Sequence, residues 1–226
     1  MSAGTIDCFD DGSIAIDDLG PTTNSAGETS ACAIGGARFA YIPMGPVNLG
    51  GALTTNAGGS GLLDIDGRAA SLQWTGATDP SVTPGLGGID LTDGGTADRI
   101  RRLMRCNTNC FYEVFVFSEH PGSNYLIGSR TLTNSGIGSP FVPVDVLFNE
   151  LTPNGTGASV NSVSVLRFNF GFNTSPQVGE PQFQVDWIGA VGDETVPEPA
   201  MQGAAGITLI VTAWLCRKRS RRAGCS

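Results

Sequence analysis

The stretch VSVLRFNFGF at 163–172 alternates apolar with polar or small side chains at a period of two. Leu166, Phe168 and Phe170 fall on one face, whereas Arg167 falls on the other. Successive side chains of a β-strand point to opposite faces of a sheet, so the pattern predicts a strand with one buried and one accessible face.

The stretch QFQVDWIGAV at 182–191 repeats this alternation and predicts a second strand of the same kind. Its apolar face is expected to hold Phe183, Val185, Trp187 and Val191. The run FYEVFVFS at 111–118 is apolar on nearly both faces, which predicts a strand in the centre of a sheet.

The segment 141–148 also reads as a central strand, although Pro143 argues for a bulge or a sheet edge. Shorter strands are predicted at 38–42, 71–75 and 124–133. The segment ADRIRRLMR at 97–105 has helical spacing of its apolar residues, but its context favours a strand over 99–105. The chain of 226 residues has 32 glycines and 13 prolines, which suit tight turns between short strands. We therefore expect an all-β fold, a β-sandwich or jelly roll, over residues 1–195.

Residues 200–216, AMQGAAGITLIVTAWLC, carry no charge. As a helix they would span roughly 26 Å at about 1.5 Å per residue, close to the ~30 Å hydrocarbon core of a bilayer. A buried core helix is the alternative, but the basic block that follows at 217–222 favours a single transmembrane helix with a cytoplasmic carboxyl end. The basic block consists of Arg217, Lys218, Arg219, Arg221 and Arg222.

Charge is divided between the two parts of the chain. All 21 acidic residues and eight basic residues precede Ala200, which gives that part a net charge of −13, whereas the five basic residues of the block follow it. A membrane helix with a cytoplasmic block would place the acidic domain on the extracytoplasmic side. An acidic domain also excludes a nucleic-acid partner, because phosphate binding needs a basic surface.

Pro197, Glu198 and Pro199 stand directly before the hydrophobic segment. Pro-Glu-Pro followed by one hydrophobic span and an Arg-rich terminus closely resembles the PEP-CTERM sorting signal. The resemblance implies export by a bacterium that makes extracellular polysaccharide, and removal of the signal by exosortase, a membrane transpeptidase. It divides the carboxyl terminus into a sorting signal at 196–222 and a short tail at 223–226.

The domain itself carries a weaker resemblance. The stretch 71–100 is similar to the central part of many exported PEP-CTERM β-domains, with its Leu-x-Trp and its Gly-Gly turns. The strand pattern also looks distantly like the galactose-binding type of jelly roll in carbohydrate-binding modules. These likenesses imply an exported β-sandwich that contacts polysaccharide or surface proteins.

The amino terminus, MSAGTIDCFDDGS, has neither a basic segment nor an apolar one that could direct export. One explanation is a tail-anchored protein facing the cytoplasm. The other is a start codon assigned too far downstream, and we favour it because a tail anchor in that orientation would place five positive charges outside.

Four cysteines precede the hydrophobic segment. Local pairing predicts two disulfides, Cys8–Cys32 and Cys106–Cys110. Free thiols are one alternative. A metal site made of Cys106, Cys110 and His120 is another, although zinc sites usually show closer cysteine pairs and more histidines.

Aspartates are concentrated near the amino terminus and in later turns. Carboxylates on loops of extracellular β-sandwiches often hold Ca²⁺, so a structural calcium ion is one hypothesis, and solvated turn aspartates are the other. The candidate ligands are Asp10, Asp11, Asp17, Asp64 and Asp66.

No catalytic residues are predicted, because His120 is the only histidine and the isolated acids Glu113, Asp145 and Asp186 form no evident pair. Four arginines between 99 and 105 could bind an anionic polysaccharide, but pairing with nearby aspartates is the simpler expectation. Trp74 and Trp187 could stack on sugars if exposed, but strand positions favour the core. The expected function is that of a non-catalytic exported surface or matrix protein. The alternatives are a carbohydrate-active enzyme on the same scaffold and a membrane-anchored protein that is never processed.

Overall fold

The computed structural model describes residues 4–18, 24–42, 51–56, 61–67, 69–79, 81, 85–119, 123–133, 135–171 and 182–192. All the described strands belong to one unit, Met1–Gly192, and a second unit, Asp193–Ser226, lies outside the described residues. The predicted sorting motif, transmembrane helix and basic block therefore also lie outside them. Within the described ranges, no helix has the length and apolar character needed to cross a membrane.

The described part of the chain is all-β, as predicted. The strands are β1 Thr5–Asp7, β2 Ala15–Asp18, β3 Asn24–Thr29, β4 Ala37–Ile42, β5 Gly51–Thr55, β6 Leu63–Asp66, β7 Ala70–Trp74, β8 Arg99–Cys106, β9 Cys110–Phe117, β10 Tyr125–Leu132, β11 Val142–Leu147, β12 Thr152–Asn154, β13 Val165–Phe170 and β14 Gln182–Val191. Two 3₁₀ turns, Ile34–Gly36 and Phe148–Glu150, interrupt them.

The strands form a β-sandwich of two antiparallel sheets. The first sheet has the order β11-β8-β14-β6-β5-β2, and β1 also pairs with β14. The second sheet has the order β12-β10-β9-β13-β7-β4-β3. One hydrophobic core lies between them, and it joins, for example, Phe183 of the first sheet to Phe170 of the second, with ring centroids 5.6 Å apart.

Several strand predictions are confirmed. The segment 99–105 is a strand, β8, and the strand that contains most of 111–118, β9, lies inside the second sheet between β10 and β13. The strand that contains Pro143, β11, forms an edge of the first sheet, where its missing N–H breaks no ladder.

The predicted face of Trp187 is wrong. The register of β14 with β8 shifts between Val185 and Trp187, which marks a β-bulge at Asp186. The extra residue moves Trp187 to the outer side of the first sheet and turns Ile188, which is fully buried, into the core. Trp74 lies in the core as expected, and it packs edge-on against Phe168.

One of the two predicted disulfides is present. Cys8 and Cys32 are bonded, with their Cα atoms 5.8 Å apart. The predicted Cys106–Cys110 bond is wrong, because both residues are free, buried thiols. Cys106 ends β8 of the first sheet and Cys110 begins β9 of the second, and each thiol donates a hydrogen bond to the Thr108 carbonyl instead.

Candidate binding face

The outer side of the second sheet carries an unusual set of aromatic side chains. In β9, Tyr112, Val114 and Val116 point inward and are fully buried, so the intervening residues point outward. Two of the outward residues are Phe115 and Phe117. Phe115 is only 7% exposed and Phe117 is half-buried, although both point away from the core. The outer side of a sheet normally carries polar residues, so outward phenylalanines in the centre of a sheet indicate a site with another purpose.

The strand register places these residues in rows across the sheet. One row runs Ile127, Phe115, Arg167, Gln73 and Phe39, and the next runs Ser129, Glu113, Asn169, Ser71 and Tyr41. Tyr125 and Phe117 form the start of a third row. We define the aromatic face as these outward residues of β4, β7, β9, β10 and β13.

The aromatic rings form two groups on this face. Phe115, Phe117 and Tyr125 are in mutual contact, and Tyr125 lies 5.3 Å from each of the other two ring centroids. Phe39 and Tyr41 form the second group, with centroids 6.4 Å apart. Three strand spacings of about 4.8 Å separate Phe39 from Phe115, so the groups are about 14 Å apart.

Polar side chains occupy the strands between the two groups, where Arg167 is half-buried and Ser71, Gln73 and Asn169 are buried. The Ser71 hydroxyl donates a hydrogen bond of 2.9 Å to the Asn169 side-chain carbonyl, which fixes the orientation of the amide. Gln73 and Arg167 are paired in the neighbouring row. The face thus has an aromatic group at each side and amide, hydroxyl and guanidinium groups in the middle.

A loop bounds the face at the β3 edge. Gly27 of β3 is paired with Phe39 and faces outward, and a Cβ atom at this position would collide with the backbone carbonyl of Thr78. The loop after β7 therefore lies directly over the end of the row that contains Gln73. Glycine is required at position 27 for this close approach.

The basic cluster between 99 and 105 does not form a free cationic surface. Arg101 makes a two-point contact with Asp145, at 2.8 and 2.7 Å, and Arg99 contacts both Asp98 and Asp145. Burial alone would raise the pKa of Asp145, but hydrogen bonds and charge from Arg101 and Arg99 outweigh it and lower the pKa. The expected pairing with aspartates is confirmed for these two arginines.

The other two arginines of the cluster have different surroundings. Arg105 donates to Gln184 and to the Ser139 carbonyl, each at 2.7 Å. Arg102 points inward and is fully buried, with its guanidinium carbon 3.6 Å from the centre of the Tyr112 ring. The sequence context therefore predicted the strand correctly against the helical spacing of the apolar residues, but it did not indicate that one arginine would enter the core.

The predicted calcium ligands do not converge. Asp17 and Asp66 are each paired with Ala52, on opposite sides of β5. They are therefore about 10 Å apart, which is twice the strand spacing. A Ca²⁺ ion needs its ligand oxygens at about 2.3–2.6 Å. The Asp11 carboxylate accepts hydrogen bonds from Ser30 and Ala31, and Asp64 accepts one from Gln184. Within the described residues no group of three His, Cys, Asp or Glu side chains is placed to hold a metal ion.

Asp10 is the remaining calcium candidate. Burial of Asp186 raises the pKa of that carboxyl, and the charge of Asp10 raises it further. The calcium site therefore stays a prediction. His120, the third member of the alternative metal site with Cys106 and Cys110, lies outside the described residues.

A separate cleft of about 550 Å³ lies beside the disulfide, between Thr5, Ile34 and Leu91. Asp90 lines it, but its carboxylate already accepts hydrogen bonds from Thr92 and Gly94. The cleft therefore offers a less distinct set of binding groups than the aromatic face does.

The fold and this face define a β-sandwich with an aromatic, polar-centred sheet surface, an arrangement suited to binding rather than to a deep catalytic pocket. No protein-family model matches the chain, and no curated protein matches it. Among solved structures, the chain is similar to a family 11 carbohydrate-binding module from Clostridium thermocellum, in complex with a β-1,3-1,4-mixed-linked tetrasaccharide. The identity is 10% and the TM-score 0.42, over 84% of this chain and 95% of that one.

A second structure, the family 11 carbohydrate-binding module of the cellulosomal cellulase Lic26A-Cel5E of Clostridium thermocellum, is 11% identical with a TM-score of 0.41. It covers 83% of this chain and 93% of that one. Both likenesses are too distant to carry an argument about the ligand, so the case for function rests on the residues of the aromatic face.

Proposed function

We propose that this chain is a non-catalytic, exported surface or matrix protein whose β-sandwich binds polysaccharide through the aromatic face. The observation that carries the proposal is the combination of two aromatic groups about 14 Å apart with a polar centre. A pyranose ring has apolar C–H surfaces that stack on aromatic rings and hydroxyl groups that pair with planar polar side chains. An extended chain of sugars could therefore contact the half-buried side chains of Tyr41, Arg167 and Tyr125 together.

A carbohydrate-active enzyme on the same scaffold is less well supported. Glycosidases generally need two carboxyl groups on either side of the scissile bond. Glu113 is the only carboxylate that the described strands place on the aromatic face, while Asp145 and Asp186 belong to the other sheet. A single carboxylate among aromatic and amide groups supports binding.

Removal of the aromatic groups tests the binding role. Tyr41→Ala and Tyr125→Ala should each weaken binding to a soluble polysaccharide by about tenfold or more, equivalent to about 1.4 kcal/mol, because each removes a stacking surface. Affinity electrophoresis and calorimetry of the full chain against a panel of neutral and acidic polysaccharides would measure the change.

Phe141→Ala is the matched control for this experiment. Phe141 is a half-buried aromatic on the first sheet, where it packs on Arg105 with 4.4 Å between the guanidinium carbon and the ring centre. Its removal should leave polysaccharide affinity unchanged. Equal affinities for all three variants and the wild type, or no binding to any polysaccharide in the panel, would contradict the proposal.

Export and sorting form the second part of the proposal. Pro197, Glu198 and Pro199 would be recognised by exosortase, with the hydrophobic helix 200–216 in the inner membrane and the basic block in the cytoplasm until cleavage. The mature protein would then remain at the cell surface or in the extracellular matrix. The resemblance of the last thirty or so residues to the PEP-CTERM signal supports this part.

Mass spectrometry of the released protein tests the sorting step. In a host that contains exosortase, we expect the released form to lack the hydrophobic segment and the basic block. Glu198→Ala should leave both attached, because it alters the recognition motif. A released wild-type protein that still contains residues 200–226 would remove the exosortase proposal, and it would favour a membrane-anchored protein that is not processed.

A further inference from the structure

Arg167 occupies the centre of the aromatic face. It lies on β13 between Phe115 of β9 and Gln73 of β7. Its guanidinium carbon is 4.6 Å from the centre of the Phe115 ring and 5.2 Å from that of Phe117. The two rings hold the charge at the face, because a guanidinium group packs favourably on aromatic surfaces.

Arg167 makes no ion pair or hydrogen bond with another described residue, and its Nε atom is buried without a partner. Most other described arginines are engaged. Arg38, Arg99 and Arg101 pair with carboxylates, Arg130 pairs with Glu150, and Arg105 donates to Gln184. Arg102 also lacks a partner, but it lies inside the core.

An unpaired arginine is unexpected on a protein with an excess of acidic residues, 21 against 13 basic ones. Nearby carboxylates could neutralise it, as they do on the first sheet. Arg167 instead lies on the outer side of the sheet, and no described carboxylate forms an ion pair with it. Arginine is the side chain best suited to hold a carboxylate or sulfate through paired N–H donors.

Glu113 carries the opposite charge on the same face. It is paired with Asn169, one row away from Arg167, and no ion pair joins the two within the described contacts. A ligand that crosses the face would meet both side chains. The two residues therefore supply a test in which opposite charges should have opposite effects on an ionic ligand.

We infer that the polysaccharide bound by the aromatic face is acidic, with carboxylate or sulfate groups on its sugars, and that Arg167 holds one of these groups while the rings hold the sugar. This inference rests on the proposed polysaccharide-binding function. It adds the class of ligand and the residue that selects it.

The test compares acidic polysaccharides with neutral forms of the same backbones. Polygalacturonate, alginate and hyaluronate would each be measured against the full chain before and after chemical reduction of their carboxyl groups to alcohols. We expect at least one acidic form to bind, and carboxyl reduction to weaken that binding tenfold or more. The affinity should also fall as salt is raised, since part of it is ionic.

Two variants that replace a charged side chain with a neutral amide test the role of Arg167. Arg167→Gln should weaken binding of the acidic form about tenfold and leave binding of the reduced form within about twofold. Glu113→Gln should strengthen binding of the acidic form, because it removes a like charge. Circular dichroism would show that both variants keep the fold.

The outcomes separate the inference from the proposed function. If a neutral polysaccharide binds and the acidic ones do not, or if Arg167→Gln leaves the affinity for the acidic form unchanged, the inference about ligand class is wrong and the binding function stands. If no polysaccharide of either kind binds, the proposed function itself fails.

Discussion

Replacing Arg38 with methionine should lower the free energy of unfolding by about 3–5 kcal/mol. Arg38 is fully buried and bonded to the equally buried Asp7 at 2.6 Å, and it also pairs with Glu28. Asp7 in turn accepts a 2.8 Å hydrogen bond from the Trp74 indole. Methionine would fill most of the space but leave the Asp7 carboxylate without its cation in the core, where an unpaired charge is strongly unfavourable.

Urea unfolding of the full chain would measure this loss, and Arg101→Met is the matched control. Arg101 pairs with Asp145 on the partly accessible outer side of the first sheet, and Asp145 keeps its contact with Arg99 when Arg101 is removed. The control should therefore cost no more than about 1 kcal/mol. The double variant Asp7→Asn with Arg38→Met should recover part of the loss, because it removes both charges. Equal stabilities of Arg38→Met and the wild type would show that the ion pair between Arg38 and Asp7 does not contribute to the free energy of unfolding.

The pH dependence provides an independent check on the same pair. Burial raises the pKa of Asp7 above its ordinary value of 3.8, and the charge of Arg38 opposes that rise. In Arg38→Met burial acts with less opposition, so the pKa in the folded state should rise further. Since the folded state then binds the proton more tightly than the unfolded state, acid favours folding through this group. The stability deficit of the variant should therefore shrink as the pH falls through the raised pKa toward 3.8.

The contrast between β13 and β14 shows which parts of the fold can be predicted from the sequence. The alternation in 163–172 correctly places Leu166, Phe168 and Phe170 in the core. The same reasoning fails in β14 after Val185, because a bulge inserts one residue and reverses the faces beyond it. Bulges depend on how two strands pair, so periodicity within one strand cannot show them.

Only part of the candidate site can be predicted from the sequence. The run at 111–118 is apolar on nearly both sides, which predicts a central strand, and β9 is one. The same pattern also indicates the aromatic face, because the outward phenylalanines of β9 lie on the side of the sheet that does not face the core between the sheets. What the sequence could not supply was the register that brings Tyr41 and Asn169 into one row with Glu113, across four strands.

Replacing Arg102 with methionine should have the opposite effect and raise the free energy of unfolding by about 1–4 kcal/mol. Arg102 is fully buried between the Tyr112 and Phe168 rings, and none of its three guanidinium nitrogens has a hydrogen-bond partner among the described residues. Burial lowers the pKa of Arg102 to about 10, because the interior disfavours the charged form. Attraction to two aromatic rings is worth about 2 kcal/mol when desolvated, less than the several kcal/mol that burial of an ion costs.

Thermal and urea unfolding of the full chain would measure the gain, and two variants make the result specific. Tyr112→Phe removes a buried hydroxyl that also lacks a partner, so it should be neutral or stabilising. Arg102→Lys keeps a buried charge but loses the stacking, so it should be less stable than the wild type. If the free energy of unfolding of Arg102→Met instead falls by more than about 1 kcal/mol, the prediction is wrong. The guanidinium group must then have polar partners inside the sandwich, such as buried water. A higher free energy of unfolding would mean that Arg102 destabilises the inner side of the first sheet. On the outer side of the same strand, Arg101 and Arg99 are paired with carboxylates.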